Sequence, residues 1–259
     1  MITHPRRRAT DFPSETPSEG IPGRPTVSLV IPLRKPGADL SWLAGHVPVC
    51  VGEVILVGAP AGRVPDLPPM GTGPAPRLVE LPVSGPEALL HTGLTAATGD
   101  FLVLIEADGS MSPLEIPHYL HYLESGFDFV KASRFIAGGS PAGYPLVRRL
   151  GHRFLLAVAR FLYGQRLTDL WYGFCAFRRG FVTLLDPSGD GMELDVEVVT
   201  HALHYGLRIA EVPSRELPRR DRRNRRHTLH EGARILQALI AGRPRSALLR
   251  LVAVSNKTS

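Results

Sequence analysis

At 259 residues, with 44% apolar and 21% charged residues, the chain can bury a sizeable core, and global disorder is excluded. A net charge of +6, carried mainly by arginine, favours anionic partners such as phosphates, nucleotides, nucleic acid or an acidic membrane face. No window holds the ~18 uninterrupted apolar residues of a membrane span. The two cysteines, Cys50 and Cys175, match no metal-ligand spacing and read as buried apolar fillers, which fits a reducing compartment.

Residues 1–25 carry basic side chains but no apolar h-region, so they read as a flexible leader and not as a signal peptide. Short runs rich in Val, Ile and Leu follow: "VSLVI" (27–31), "EVILV" (53–57), "RLVEL" (77–81), "FLVLI" (101–105) and "FDFVKA" (127–132). Continuous apolar runs of this length suit strands buried on both faces of a mostly parallel sheet. Between them, Pro86 to Ala97 and Pro113 to Glu124 read as helices, the second opened by a cap-like Ser112 with Pro113 at its first position. This alternation predicts a doubly wound α/β sheet.

Beyond Gly138 the texture changes. A Gly/Pro-rich loop leads into a basic amphipathic helix at about 146–163, read either as interfacial or as a core helix with snorkelling arginines. Then come an aromatic turn, "DLWYGFCAFRR", an acidic helix start, "GDGMELDVEVV", and a strand-like "LRIAEVP". Last are an arginine run from Arg219 to Arg226, read as a solvated loop, a phosphate clamp or a lipid-headgroup anchor, and a final helical stretch.

The chemistry centres on "FLVLIEADGSM". In open α/β sheets, ligands bind beyond the carboxyl ends of the strands, and there Glu106 and Asp108 would project into the crevice. Two carboxylates one residue apart suit a hard divalent cation that bridges to a diphosphate. A turn acid capping the next helix is the plain alternative. No dinucleotide fingerprint, phosphate-cradling P-loop, nucleophile elbow or zinc-ligand histidine spacing is present.

Several motifs in order resemble a family 2 glycosyltransferase of the GT-A fold, in particular the bacterial branch that includes polyprenyl-phosphate mannose and glucose synthases. The resemblance runs from about Val27 to Gly242. The family's D-x-D falls on Glu106-Ala107-Asp108, its "SRF" on Ser133-Arg134-Phe135, and its D-x-x-Y-G-x-x-A-F on Asp169 to Phe177. The acidic pair before the next helix falls on Glu193 and Asp195, and the family's EVPS-x-E-x-x-R on Glu211 to Arg219.

The resemblance implies a mostly parallel, Rossmann-like sheet flanked by helices, with a C-terminal helical extension on the acceptor side. It implies a leader at 1–25, one GT-A domain at 26–242 and a tail at 243–259. A GDP- or UDP-sugar would be held by Pro32, Glu106, Asp108 and Arg134, with Mg²⁺ or Mn²⁺ on Asp108 and Glu106. A lipid phosphate or small-molecule acceptor would lie near Trp171, Tyr172, Arg219 and Arg220. An anionic acceptor needs no base; a hydroxyl acceptor needs one, for which Asp169, Asp195 and Glu193 are the candidates. Competing readings are surface ion pairs for Arg134 and Arg219, core packing for Trp171 and helix capping for Glu193. The expected place is the cytoplasm, with peripheral contact at the inner membrane face, and no nucleic-acid partner.

The departures from the family pattern fall mostly on the donor side. The I-P-x-x-N-E after the first strand reads "IPLRKPG", the acidic end of the second strand reads "LVGAPAG", and the G-K-G segment reads "SGPEA". At Glu106 a glutamate replaces the first Asp, and "RRNRR" replaces the loop after the conserved arginines. A non-catalytic binding protein on the same fold is therefore the second reading.

Overall fold

The protein is described here from a computed structural model, which describes residues 25–33, 40–58, 73–81, 86–142, 146–184, 193–219 and 229–242. The leader, the tail and the arginine run beyond Arg219 lie outside the described residues.

Seven strands form one sheet: β1 (Val27–Pro32), β2 (Glu53–Gly58), β3 (Arg77–Glu80), β4 (Phe101–Leu104), β5 (Phe129–Ser133), β6 (Cys175–Arg178) and β7 (Ile209–Pro213). Their order is β3-β2-β1-β4-β6-β5-β7. All pairings are parallel except the two made by β6, which runs against β4 and β5. The apolar runs become strands because their residues are buried on alternating faces by two separate cores. Leu29, Ile31, Val103 and Val130 face one; Val30, Ile55, Leu102 and Phe129 face the other.

The helices are α1 (Ser41–Ala44), α2 (Pro86–Ala96), α3 (Ile116–Glu124), α4 (Leu146–Tyr163), α5 (Glu193–His204) and α6 (Leu229–Ala241). Gly93 lets α2 lie directly on the sheet: a Cβ there would come within 2.6 Å of Val57 and 2.7 Å of Val30, which a close-packed core does not accommodate. A third apolar cluster joins Leu155, Ala159 and Leu162 of α4 to Leu170, Trp171, Ile235 and Leu239. Within this cluster α6 follows the last strand, where a C-terminal helical extension was expected, whereas α4 precedes β6.

Three local expectations are corrected. The later part of the "aromatic turn" is a strand, β6, which runs antiparallel between β4 and β5. Ser112 makes no side-chain cap hydrogen bond; Pro113 instead opens a 3₁₀ turn that runs into α3, and the Ser112 carbonyl accepts from Glu115 N at 3.1 Å. Cys50 is exposed, and only Cys175 is a buried filler.

The chain winds from β1 outward through β2 to β3, then crosses back to β4 on the other side of β1. The crevice between the ends of β1 and β4 is the topological switch point, where ligands of such sheets bind. Pro32 and Glu106 each lie two residues past the Val30–Leu104 register pair, so the switch point falls on the residues singled out from sequence.

Candidate active site at the carboxyl edge

After β4 the chain turns sharply through Glu106–Ser110, with Gly109 at φ 75°, a left-handed conformation natural to glycine. The turn is fixed by Asp108, whose Oδ1 accepts from Ser110 N at 3.0 Å and Ser110 Oγ at 2.6 Å. This leaves Oδ2 outward, 3.2 Å from Arg219 Nε. Glu106 is half-buried beside it, and its backbone N–H donates to Met111 Sδ at 3.3 Å.

At the ends of β5 and before β6, Arg134 and Asp169 form a bidentate pair, with Nε to Oδ2 at 2.7 Å and an η nitrogen to Oδ1 at 3.0 Å. The Arg134 backbone N–H also donates to Asp169 Oδ2, at 3.2 Å. The other η nitrogen of Arg134 reaches Glu216 at 3.3 Å, and the guanidinium lies over the Tyr172 ring at 4.7 Å. Both partners are withdrawn from water, at 4% and 0% exposure. Burial pushes the Asp169 carboxyl up, but Arg134, with Lys131 behind it, holds it below the usual carboxylate range. Asp169 thus stays ionised and committed to Arg134, which makes both residues anchors of the loops at this edge.

Lys131 is buried at 1% exposure and donates to the carbonyls of Ala132 and Tyr172, both at 3.3 Å. Glu211 on β7 accepts from Thr168 N at 2.9 Å, Thr168 Oγ1 at 3.0 Å and Asp169 N at 3.2 Å. Burial raises its carboxyl against the opposing pull of Lys131 and these bonds. His152 of α4 lies 3.7 Å from Asp169 and 4.2 Å, ring to ring, from Trp171. Its imidazole is lowered to about 4, first by burial and then by Arg134 and Lys131, against Asp169.

The segment after β7 ties these pieces together. Ser214 N donates to Ser133 O at 3.0 Å, Glu216 N to Ser140 O at 2.8 Å, and Leu217 N to Ser110 O at 2.9 Å. The same Ser110 carbonyl accepts from Tyr172 OH at 3.1 Å. Ser214 Oγ donates to Glu115, which also accepts from Arg215 N. The strap that begins at Glu211 therefore delivers Arg219 onto Asp108.

The structure brings Glu106, Asp108, Arg134, Asp169, Tyr172 and Arg219 to one edge of the sheet. Pro32 is buried at the end of β1 and Trp171 packs into the α4–α6 cluster. Asp195, in the first turn of α5, is 8% exposed and presses on Gly173, where a Cβ would meet its Oδ1 at 2.8 Å. Glu193 begins α5; its side chain and Arg220 lie outside the described residues. Sequence reasoning passed over Lys131 and His152, and it carried Glu211 and Glu216 only as motif positions without a role. The signals were a lysine inside an apolar strand and two acids bracketing "VPSR".

At the end of β2, Gly58 has no side chain to offer, and Leu33 closes on it, 3.4 Å from where a Cβ would sit. Among the described residues no group of three or more His, Cys, Asp or Glu side chains gathers for a metal. The outward Oδ2 of Asp108 nevertheless already faces a cation, the Arg219 guanidinium. A carboxylate in that position fits a hard cation that takes its remaining oxygens from a diphosphate and water.

In solved structures, glucosyl-3-phosphoglycerate synthase from Mycobacterium tuberculosis, in complex with Mg²⁺ and uridine diphosphate, aligns with a TM-score of 0.62. The match is 23% identical and covers 84% of this chain and 78% of that one. The same enzyme with Mn²⁺, uridine diphosphate and glucosyl-3-phosphoglycerate aligns with a TM-score of 0.63 at 21% identity, over 84% and 78% of the two chains. The fold is GT-A.

Residues 72–184 match the family described as Glycosyl transferase family 2. Over 115 residues the chain is 30% identical to polyprenol monophosphomannose synthase of Mycolicibacterium smegmatis, covering 43% of each protein. Over 119 residues it is 32% identical to undecaprenyl-phosphate mannosyltransferase of Micrococcus luteus, covering 44% of this chain and 48% of that protein. These matches span less than half the length of either relative.

Proposed function

We propose that this protein is a metal-dependent, inverting glycosyltransferase that moves a sugar from a nucleotide-sugar, a GDP- or UDP-sugar, to a phosphate-bearing acceptor such as a polyprenyl phosphate. The observation that carries the reading is Asp108, held at the switch point by Ser110 with one oxygen turned outward, on a chain whose family 2 segment spans that turn. Relatives named for polyprenol and undecaprenyl phosphate support the acceptor class. The working unit is the domain at 26–242, acting in the cytoplasm at the membrane face from which a lipid acceptor is reached.

Asp108, with Glu106 beside it, would hold Mg²⁺ or Mn²⁺, which supplies charge neutralisation for the departing diphosphate. Arg219 shifts from Asp108 to a phosphate oxygen, for which its planar fork is suited. The acceptor oxygen attacks the anomeric carbon as the bond to the diphosphate breaks, with the pieces held in line. A phosphate acceptor is already anionic and needs no base. For a hydroxyl acceptor, Asp195 and Glu193 at the start of α5 take that role, because Asp169 is committed to Arg134.

The Arg219–Asp108 contact and the bare Gly58 favour one second reading, a GT-A-fold binding protein that no longer takes a nucleotide-sugar. Thermal unfolding with UDP, GDP and dTDP, each with and without Mn²⁺, separates the two. A ligand at about a hundred times its dissociation constant stabilises by ~2.7 kcal/mol. The transferase reading expects metal-dependent stabilisation by one nucleotide, lost in Asp108→Ala. No shift with any of the three overturns it in favour of the second reading.

A further inference from the structure

We propose that the outward face of α4 is a docking surface for an anionic lipid bilayer. At 3.6 residues per turn, Leu146, Val147, Leu150, Phe154 and Phe161 fall within about 100° of one another around the helix. All five are exposed, Val147 at 82% and Phe154 at 59%. A row of three exposed arginines, Arg149, Arg153 and Arg160, borders this stripe along one side.

The opposite face is already taken. Leu155, Ala159 and Leu162 are packed against Leu170, Trp171, Val196, Ile235 and Leu239, and Tyr163 OH donates to Leu239 O at 2.9 Å. The helix is therefore pinned to the body of the protein, and its apolar stripe is an outer surface. An apolar stripe of this width, bordered by guanidinium groups, is the pattern of a helix lying in a membrane interface, with arginine stems following the apolar surface while their heads meet phosphates.

Charge selects the occupant. No acidic residue occurs between Leu146 and Tyr163, so two copies paired through α4 would bring arginines together with no carboxylate on the helix to receive them. An anionic headgroup layer complements the row directly. The inner face of the same helix places His152 against Trp171 and beside Asp169. The bilayer would thus lie on the far side of the helix that walls the aromatic side of the site. The inference does not depend on the transfer reaction.

Co-sedimentation of the full chain with vesicles, without nucleotide or metal, tests it. Binding is expected to phosphatidylcholine vesicles containing 30% phosphatidylglycerol and not to phosphatidylcholine alone. Each basic residue near an anionic surface changes partitioning roughly fivefold, so changing Arg149, Arg153 and Arg160 together to Gln should weaken binding about a hundredfold. Val147→Asp with Phe154→Asp should abolish it, with the melting temperature and circular dichroism of the parent retained, because these positions are exposed. Asp108→Ala should bind vesicles as the parent does, which separates this surface from the donor site. Parental vesicle binding by the α4 variants would assign the membrane contact to the arginine run at 219–226 and overturn the proposal. So would an absence of vesicle binding together with a concentration-dependent dimer that Phe154→Asp disrupts.

Discussion

Arg219 Nε lies 3.2 Å from Asp108 Oδ2, so the carboxylate expected to hold a metal is answered by a guanidinium in the free protein. The pair is partly exposed, at 33% and 16%, and contacts of this kind contribute only about 0–1 kcal/mol. A weak contact of this kind can exchange, so Asp108 would be able to hold a divalent cation and Arg219 would then be free to pair with a phosphate.

Two opposite effects are expected from Arg219→Gln. Mn²⁺ alone binds up to about fivefold more tightly, because a competitor worth at most ~1 kcal/mol is gone. The nucleoside diphosphate with Mn²⁺ binds at least tenfold more weakly, because a charged hydrogen bond worth roughly 1.5–3 kcal/mol is missing. Titration calorimetry of both ligands checks this, and a parallel change in the two affinities contradicts it.

The Arg134–Asp169 pair should behave differently because water does not reach it. Removing one partner of a buried pair costs about 3–5 kcal/mol. Urea unfolding of Asp169→Asn should show a loss in that range, and the double variant with Arg134→Met should recover part of it. Additive losses in the double variant would mean that the two residues act separately.

His152 gives the fold a pH dependence with a defined sign. Its native value, about 4, lies below the ordinary 6.5, so the unfolded chain takes up the proton first. The stabilisation is complete above about pH 6.5 and is lost as pH falls toward 4, at ~1.4 kcal/mol per pH unit. The raised carboxyls of Glu115 and Glu211 act with the opposite slope, so the comparison is made against His152→Gln. Unfolding free energies from pH 7 to 4 should fall less steeply in the variant.

Gly173→Ala should cost about 1–3 kcal/mol by overpacking, because the added methyl meets the Asp195 carboxylate at 2.8 Å. In an Asp195→Ala background most of that cost should disappear. If both backgrounds lose the same amount, the collision lies elsewhere.

Much of this arrangement was legible in the sequence. The runs "VSLVI", "EVILV" and "FLVLI" became β1, β2 and β4 because an apolar stretch of that length between turn residues is buried on both faces. The placement of Glu106 and Asp108 followed from the strand they end. β6 was hidden because "CAFR" is four residues long and shows no period that separates it from the aromatic turn before it. The Arg134–Asp169 pair joins residues 35 positions apart, and their commitment to each other depends on the reversed strand between β4 and β5, which no local pattern announces. Cys50 and Ser112 followed their residue-type averages in the reading but not in the fold.

That reversed strand divides the sheet into two parallel blocks, β3-β2-β1-β4 and β5-β7. The departures from the family 2 pattern that fall on described residues before β5, Gly58 and Glu106, sit at strand ends of the first block. The second block, with β6, keeps Arg134, Asp169, Glu211 and Glu216 in a continuous polar lattice. The suture lets the two blocks change separately, so that Gly58 and Glu106 can vary on one side without disturbing the Arg134–Asp169 pair on the other.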